Sequence, residues 1–111
     1  MTDSNTKRIA ELNDLCRKSM GVTGRLIQTR GFNALSAHVK SAIREKVETF
    51  DSFTSDNDPY GEHDFGAIEH EGNRIFWKID YYALDMMHGS ENPVDPKQTI
   101  RVLTIMLAEE Y

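Results

Sequence analysis

The chain has 111 residues, of which 39% are hydrophobic and 28% are charged, with a formal net charge of −5. This length supports one modest core, so we expect a single domain over residues 1–111. The only cysteine, Cys16, excludes an intramolecular disulfide and a cysteine-based zinc site within one chain. The polar start predicts no secretory signal, and the longest apolar run, Val102 to Ala108, is too short for a membrane span. We therefore expect a cytoplasmic protein without membrane contact.

The first predicted element is a helix that begins near Ser4 or Thr6 and ends near Lys18. Apolar residues recur in it at three- and four-residue steps, which predicts one buried stripe: Ile9, Leu12, Leu15 and Cys16. Glycines after the helix end it. Residues 25–29 then favour a short first strand.

A second helix is expected to start near Asn33 or Ser36, since both are acceptable N-caps. It has the clearest helical pattern of the chain. Its predicted core face is Leu35, Val39, Ile43, Val47 and Phe50.

A polar connection then leads into a predicted β-hairpin. Residues 58–61, Asp-Pro-Tyr-Gly, are typical of a type I turn. Strands are predicted over residues 63–70 and 74–82, joined by Glu71-Gly72-Asn73, in which Gly-Asn favours a tight turn. Alternation in the second strand predicts a core face and an opposite face, the latter including Phe76 and Tyr82. The predicted core face is Ile75, Trp77, Ile79 and Tyr81.

The last predicted element is a helix capped by Asp95, with Pro96 at its first position. Its expected buried stripe is Ile100, Leu103, Met106 and Leu107. The β-branched residues in VLTIM leave a strand open for residues 96–109. The order α-β-α-β-β-α predicts a small α+β fold, with helices on one face of a three-stranded, mainly antiparallel sheet.

The candidate catalytic residues are Glu62, His63 and Asp64. His63 could act as a base that Asp64 or Glu62 orients, because a neighbouring carboxylate can fix the tautomer and charge of a histidine. The simpler interpretation is that these side chains bond the turn backbone. The nearby Glu69, His70 and Glu71 lie too far along the strand to share one centre, so we predict no metal site.

The basic first half contains one candidate phosphate-binding group. Lys40 and Arg44 stand one helical turn apart, and Arg30 lies nearby in the sequence. A solvated helix face explains them equally well, and no nucleic-acid-binding motif accompanies them. The chain also lacks a phosphate-binding loop and a dinucleotide fingerprint, so we predict no cofactor.

Five segments carry a resemblance to a family: IAELNDLCR, TRGF, NDPYGEHDFG, FWKIDYY and RVLTIMLAEEY. Together they resemble an uncharacterised family of small bacterial proteins of unknown function. That family is found mainly in alphaproteobacteria, often on plasmids and other mobile elements. The resemblance implies a bacterial protein with a role in mobile-element biology, and it implies no catalytic residues.

Four features motivate the leading functional hypothesis: an acidic second half, the small size, the missing catalytic signature and the implied mobile-element association. Residues 1–50 carry nine Lys/Arg and five Asp/Glu, whereas residues 51–111 carry four and thirteen. Mutual neutralisation of two packed halves is the simpler explanation of this charge asymmetry. The leading hypothesis is a small acidic, non-enzymatic interaction protein that inhibits a host defence or nucleic-acid-processing protein. Its predicted partner-binding residues are Glu62, Asp64, Glu69, Glu71 and Tyr82. The alternatives are a small hydrolase or metal-dependent enzyme at His63 and Asp64, or a nucleic-acid-binding accessory protein using the basic half. The sequence does not specify the oligomeric state.

Overall fold

The computed structural model describes residues 4–111, which form three helices and four strands. The helices are α1 (Ser4–Lys18), α2 (Arg30–Asn33) and α3 (Ala37–Glu48). The strands are β1 (Arg25–Gln28), β2 (Phe65–His70), β3 (Asn73–Tyr82) and β4 (Ile100–Leu107), followed by a 3₁₀ turn, Ala108–Glu110. The expected mixture of helices and sheet is confirmed.

The sheet has four strands in the order β1-β4-β3-β2, so the prediction of three strands was wrong. β2 and β3 form the expected antiparallel hairpin. β4 lies between β3, to which it is antiparallel, and β1, to which it is parallel. The last strand of the chain therefore joins the hairpin to the first strand.

The favoured assignment of residues 96–109 as a helix was wrong, because residues 100–107 form the central strand β4. Six consecutive residues of β4, from Arg101 to Met106, are buried. A strand buried on both faces shows a continuous apolar run instead of alternation, so its period cannot be recognised. Asp95 accepts a hydrogen bond from the backbone N–H of Lys97 in a turn and caps no helix.

The hairpin turn is formed by Glu71 and Gly72, one residue earlier than the predicted Gly72-Asn73. His70 pairs with Asn73, which leaves Glu71 and Gly72 as a two-residue turn with φ of 49° and 81°. Both residues have the left-handed backbone conformation, as in the two-residue turns whose twist matches that of the flanking strands. The hairpin was predicted correctly, and Glu71 occupies the position expected for glycine.

The three helices pack on one face of the sheet, as expected. Their buried side chains form one cluster with those of the sheet: Cys16, Phe32, Ile43, Val47, Ile68, Ile75, Trp77, Ile79, Leu103 and Ile105. The predicted core faces of α3 and β3 are thereby confirmed at their central positions. Trp77 requires a glycine opposite it, because a Cβ on Gly66 would lie 2.3 Å from the indole Nε1.

The buried stripe predicted for α1 is only partly correct. Cys16 is fully buried, but the side chain of Leu15 is 53% exposed. The helix is turned so that Asn13 and Arg17 face the interior, where both make hydrogen bonds. Satisfied polar groups can occupy such positions, and hydrophobic periodicity does not reveal them.

Short α2, which the sequence analysis missed, is held by the end of the chain. Thr29 is its N-cap, and the Thr29 hydroxyl donates to Glu110 at 2.6 Å. The other Glu110 oxygen accepts the backbone N–H of Gly31 at 2.9 Å. The Thr29 bond is the main cause that lowers the pKa of Glu110. Residues of the TRGF and RVLTIMLAEEY segments are thus in contact in the fold.

The second face of the sheet carries no helix within residues 4–111. Phe65 and Phe76 lie there with ring centroids 5.1 Å apart, and Tyr111 packs on both rings. The predicted placement of Phe76 and Tyr82 opposite the core face is confirmed by the strand register. Across the same residues, no helix is both long and apolar enough to cross a membrane.

Candidate functional site

The segment that connects α3 to β2 folds around the carboxylate of Asp58. The backbone carbonyl of Asp58 accepts the N–H of Gly61 at 3.1 Å, which closes the predicted turn. Its side chain, which is buried, accepts the backbone N–H of His63 at 3.1 Å. His63 has a φ of 57°, a conformation that is uncommon for residues other than glycine. The Asp58 carboxylate therefore supports a strained backbone at His63.

The imidazole of His63 is enclosed on three sides. Its Nδ1 lies 3.0 Å from the Asp14 carboxylate, and its Nε2 lies 3.7 Å from Asp58. One ring face stacks on Phe53 with centroids 3.9 Å apart and planes 2° apart. The side chain remains 30% exposed. His63 is thus positioned by two carboxylates, neither of which belongs to the neighbours proposed from the sequence.

Arg17 forms the buried base of this site. Its Nη1 donates to the carbonyls of Val47 and Glu48 at 2.9 and 3.1 Å, at the end of α3. Its Nη2 donates to Asp14 at 3.0 Å. The guanidinium also lies over the rings of Phe53 and Trp77. Asp14 therefore bridges a fully buried arginine and the partly exposed histidine.

A groove of about 450 Å³ opens beside His63. Phe50 and Phe53 form its apolar lining, and Glu48 and Asp51 add carboxylates. Lys18 lies among the lining residues as well. The surrounding sequence is acidic, since residues 47–73 contain eight Asp/Glu and no Lys or Arg. The groove thus combines aromatic rings with an acidic surround.

Glu62 belongs to a separate hydrogen-bond network. Its carboxylate accepts the hydroxyl of Tyr81 at 2.7 Å, and its backbone carbonyl accepts the Asn13 amide at 2.9 Å. Asn13 also donates to the Tyr81 oxygen and accepts from Arg101 Nε. Burial, and next the bond to Glu62, raise the pKa of Tyr81. Glu62 therefore fastens the turn to α1 and β3.

Asp64 lies at the start of β2 and is half-buried. Its carbonyl accepts the N–H of Ile79 at 2.9 Å, which extends the hairpin by one bond. Burial, and next the charge of Glu62, raise the pKa of the Asp64 carboxyl. Among residues 4–111, Asp64 makes no side-chain hydrogen bond with His63.

The structure does not bring the proposed partner-binding acids together. Glu69 and Glu71 are exposed at the hairpin turn, whereas Glu62 and Asp64 lie at the other end of β2. Five residues of strand between Asp64 and Glu69 span about 17 Å. Tyr82 lies on the helix-free sheet face. These residues form two acidic regions and one separate aromatic position.

The three basic candidates, by contrast, lie in one region. Arg44 donates to the Gln28 side chain at 2.9 Å, and Lys40 donates to the carbonyl of Asn33 at 3.3 Å. Arg30 is exposed and lies in the sequence between Gln28 and Asn33, the residues that Arg44 and Lys40 contact. The region consists of α2 and the adjoining side of α3.

No group of three or more His, Cys, Asp or Glu in the described part of the chain is placed to hold a metal ion. Asp14 and Arg17, which α1 contributes to the site, were not predicted from the sequence as site residues. The available signal was the presence of polar and charged residues close to the buried Cys16 in the sequence of α1. The contact of Asp14 with His63, 49 residues further along the chain, arises only in the tertiary fold, as do the bonds of Arg17 to the end of α3.

A family model described as "Protein of unknown function (DUF3768)" matches residues 28–110. The match covers most of the chain, which therefore belongs to this family. Comparisons with curated proteins and with solved structures found no match. Asp14 and Arg17 lie before the matched segment, whereas His63, Asp58 and the groove aromatics lie within it.

Proposed function

We propose that this member of the DUF3768 family is a small acidic interaction protein that binds a basic segment of another protein. The observation that carries the proposal is the groove beside His63, where Phe50 and Phe53 lie among carboxylates. Arginine and lysine side chains are attracted to aromatic faces and to carboxylates, and such contacts are strongest where water is partly excluded.

The available charges support a basic partner. Asp51 and Asp56 are exposed, and neither forms an ion pair within residues 4–111. Asp14 is already engaged by Arg17 and His63, so it contributes less free charge. A partner cation placed against Asp51 would meet a carboxylate that the fold does not use.

The class of partner follows from the same charges. A protein surface that binds nucleic acid is basic, and an acidic protein can occupy it by presenting similar charge. We therefore propose a nucleic-acid-processing or host defence protein as the target, with the chain acting as a mobile-element-encoded inhibitor. The NDPYGEHDFG segment, one of the five that carry the resemblance, contributes His63 to the lining of the groove.

The test uses charge reversal at residues that the fold leaves free. The double variant Asp51→Lys/Asp56→Lys is compared with Glu91→Lys/Glu109→Lys, which makes the same change in net charge at other exposed positions. Tagged proteins capture partners from nuclease-treated bacterial lysate, and a captured protein is then purified and titrated at two salt concentrations. We expect salt-sensitive binding that only the first variant loses. Equal binding by both variants would refute the groove as the interface.

A second candidate function rests on the 3.0 Å contact between His63 and Asp14. A histidine oriented by a carboxylate can act as a general base toward water, so a metal-independent hydrolase is the alternative. His63→Gln should then abolish hydrolysis of an ester, phosphoester or RNA substrate, and Asp14→Asn should weaken it, with both variants folded. Absence of hydrolysis by the wild-type protein across these substrates would refute this alternative.

A further inference from the structure

A second cavity, distinct from the groove at His63, lies between α1 and the segment that precedes β4. Its volume is about 270 Å³. Leu12 and Leu15 from α1 form an apolar wall, and Pro96 lies among the other lining residues. Two arginines, Arg8 and Arg101, also line it. The cavity therefore combines an apolar surface with two positive charges.

Arg101 is the more deeply placed of the two, with only 5% of the residue exposed. Its Nε donates to Asn13 at 2.7 Å, its Nη2 donates to the carbonyl of Pro93, and its guanidinium lies over the Tyr81 ring. All of these partners are neutral. No carboxylate within residues 4–111 lies at ion-pair distance from Arg101. Burial lowers the pKa of Arg101, and the charge of Glu62, which is bound to the Tyr81 hydroxyl, raises that pKa but lies beyond ion-pair distance. A buried charge without a directly paired counter-ion is costly, since arginine stays protonated.

Arg101 also keeps donor capacity. A guanidinium has five N–H donors, and only Nε and Nη2 have hydrogen-bond acceptors here. Nη1 has no acceptor among the described residues, and it is not sealed from solvent. Because Arg101 lines the cavity, this free end is available to a bound anion.

Arg8 adds a second charge to the same space. It contacts Glu11 at 3.6 Å on the surface, with about half of each side chain exposed. Exposed pairs of this kind are weak. The positive charge of Arg8 is one of the causes that lower the pKa of Arg101, after burial as the largest. Two like charges thus face one cavity, and an anion between them would be attracted to both.

We propose that this cavity binds a small carboxylate that carries an apolar tail. The planar guanidinium of Arg101 matches a carboxylate, Arg8 adds attraction at the entrance, and Leu12 and Leu15 accept the tail. The volume lies just below the roughly 300 Å³ at which drug-sized pockets begin, which favours a short aliphatic or aromatic acid. Such a carboxylate can belong to a free acid or to the C-terminus of a peptide.

The test titrates the full chain with hexanoate and follows the ¹H–¹⁵N signals of the backbone and of Arg101 Nε–H. Hexanamide, acetate, inorganic phosphate and the dipeptide acetyl-Gly-Leu are titrated in parallel. We expect saturable shifts of the Arg101 signal with hexanoate, and weaker or absent binding of hexanamide, acetate and phosphate. Tighter binding of acetyl-Gly-Leu than of hexanoate identifies a peptide C-terminus as the source, and the reverse identifies a free acid.

Variants use Arg8 and Leu15, because Arg101 also holds the fold together. Arg8→Gln should weaken hexanoate binding about tenfold, the equivalent of one charge-assisted contact of about 1.4 kcal/mol. Lys7→Gln, an exposed neighbour on α1 outside the cavity lining, should leave it unchanged. Leu15→Gln should weaken hexanoate binding but not acetate binding.

Three results would overturn the proposal. The first is an Arg101 signal that does not move up to about 20 mM hexanoate, which would exclude even millimolar affinity. The second is equal binding by Arg8→Gln and Lys7→Gln. The third is binding of hexanamide or phosphate as tight as that of hexanoate, because the site would then recognise no carboxylate with a tail.

Discussion

Replacement of Arg17 by methionine should strongly destabilise the protein. Arg17 is 1% exposed, and its guanidinium makes three hydrogen bonds, two to the carbonyls at the end of α3 and one to Asp14. Methionine keeps the apolar contacts with Trp77 but leaves these acceptors without their donor. Removal of one partner from a buried charged network costs about 3–5 kcal/mol. That is a large share of the roughly 5–15 kcal/mol that stabilises a typical domain.

The free energy of unfolding is measured by urea denaturation, with the fluorescence of the only tryptophan, Trp77, as the signal. Arg8→Met on the same helix is the matched control, because its ion pair with Glu11 is exposed and is worth about 0–1 kcal/mol. We expect the free energy of unfolding of Arg17→Met to fall by about 3 kcal/mol or more. A thermal melt followed by the same fluorescence should then show a melting temperature lower by about 12 °C or more, from about 4 °C per kcal/mol. A loss below about 1 kcal/mol with an unchanged denaturant slope would refute the network as a major source of stability.

Three further predictions concern the core and the chain end. Gly66→Ala should cost about 1–3 kcal/mol or more in urea denaturation, because its Cβ would meet the Trp77 ring. Gly89→Ala should be near neutral, because its Cβ would make only an ordinary contact, 3.9 Å from the Tyr81 carbonyl oxygen. The lowered pKa of Glu110 stabilises the fold above its ordinary value of 4.5, so the stability difference between wild type and Glu110→Gln should shrink as pH falls below it. A constant difference would contradict this. Cys16 is fully buried, and burial raises the pKa of its thiol. A thiol reagent should therefore label it only through opening of the fold, so the labelling rate should rise as urea increases the unfolded fraction.

The local elements were predictable from the sequence where one face of an element meets water. The α3 helix and the β2–β3 hairpin show their burial as a sequence period. Ser36 caps the start of α3, and Gly72 lies in the turn that joins β2 to β3. β4 shows no period, because both of its faces are buried. Its neighbours lie far away in the chain, since β1 is residues 25–28. Parallel pairing with β1 is a tertiary property that residues 100–107 do not encode locally.

The candidate site shows the same limit for polar residues. His63 was identified, but its partners were expected among the adjacent residues Glu62 and Asp64. The strained backbone at His63 turns its ring toward α1, while Glu62 bonds Tyr81 and Asp64 lies at the start of β2. Adjacent residues on an extended chain point in different directions, so sequence neighbours are poor candidates for side-chain contact. Asp14 is in contact only because α1 packs beside the turn.

The conspicuous residues of the NDPYGEHDFG segment are mostly engaged in holding the fold. Both ring nitrogens of His63 face carboxylates, and Glu62 and Asp58 each bind groups of the chain itself. A general base needs a nitrogen that faces a substrate, which makes the rims of the two cavities better places for function than the ring of His63. Within residues 4–111, Asp51 in the lining of one cavity has no ion pair, and the buried Arg101 in the lining of the other has no carboxylate at ion-pair distance. Unsatisfied charges of opposite sign at two separate cavities are better explained by two binding events than by one reaction.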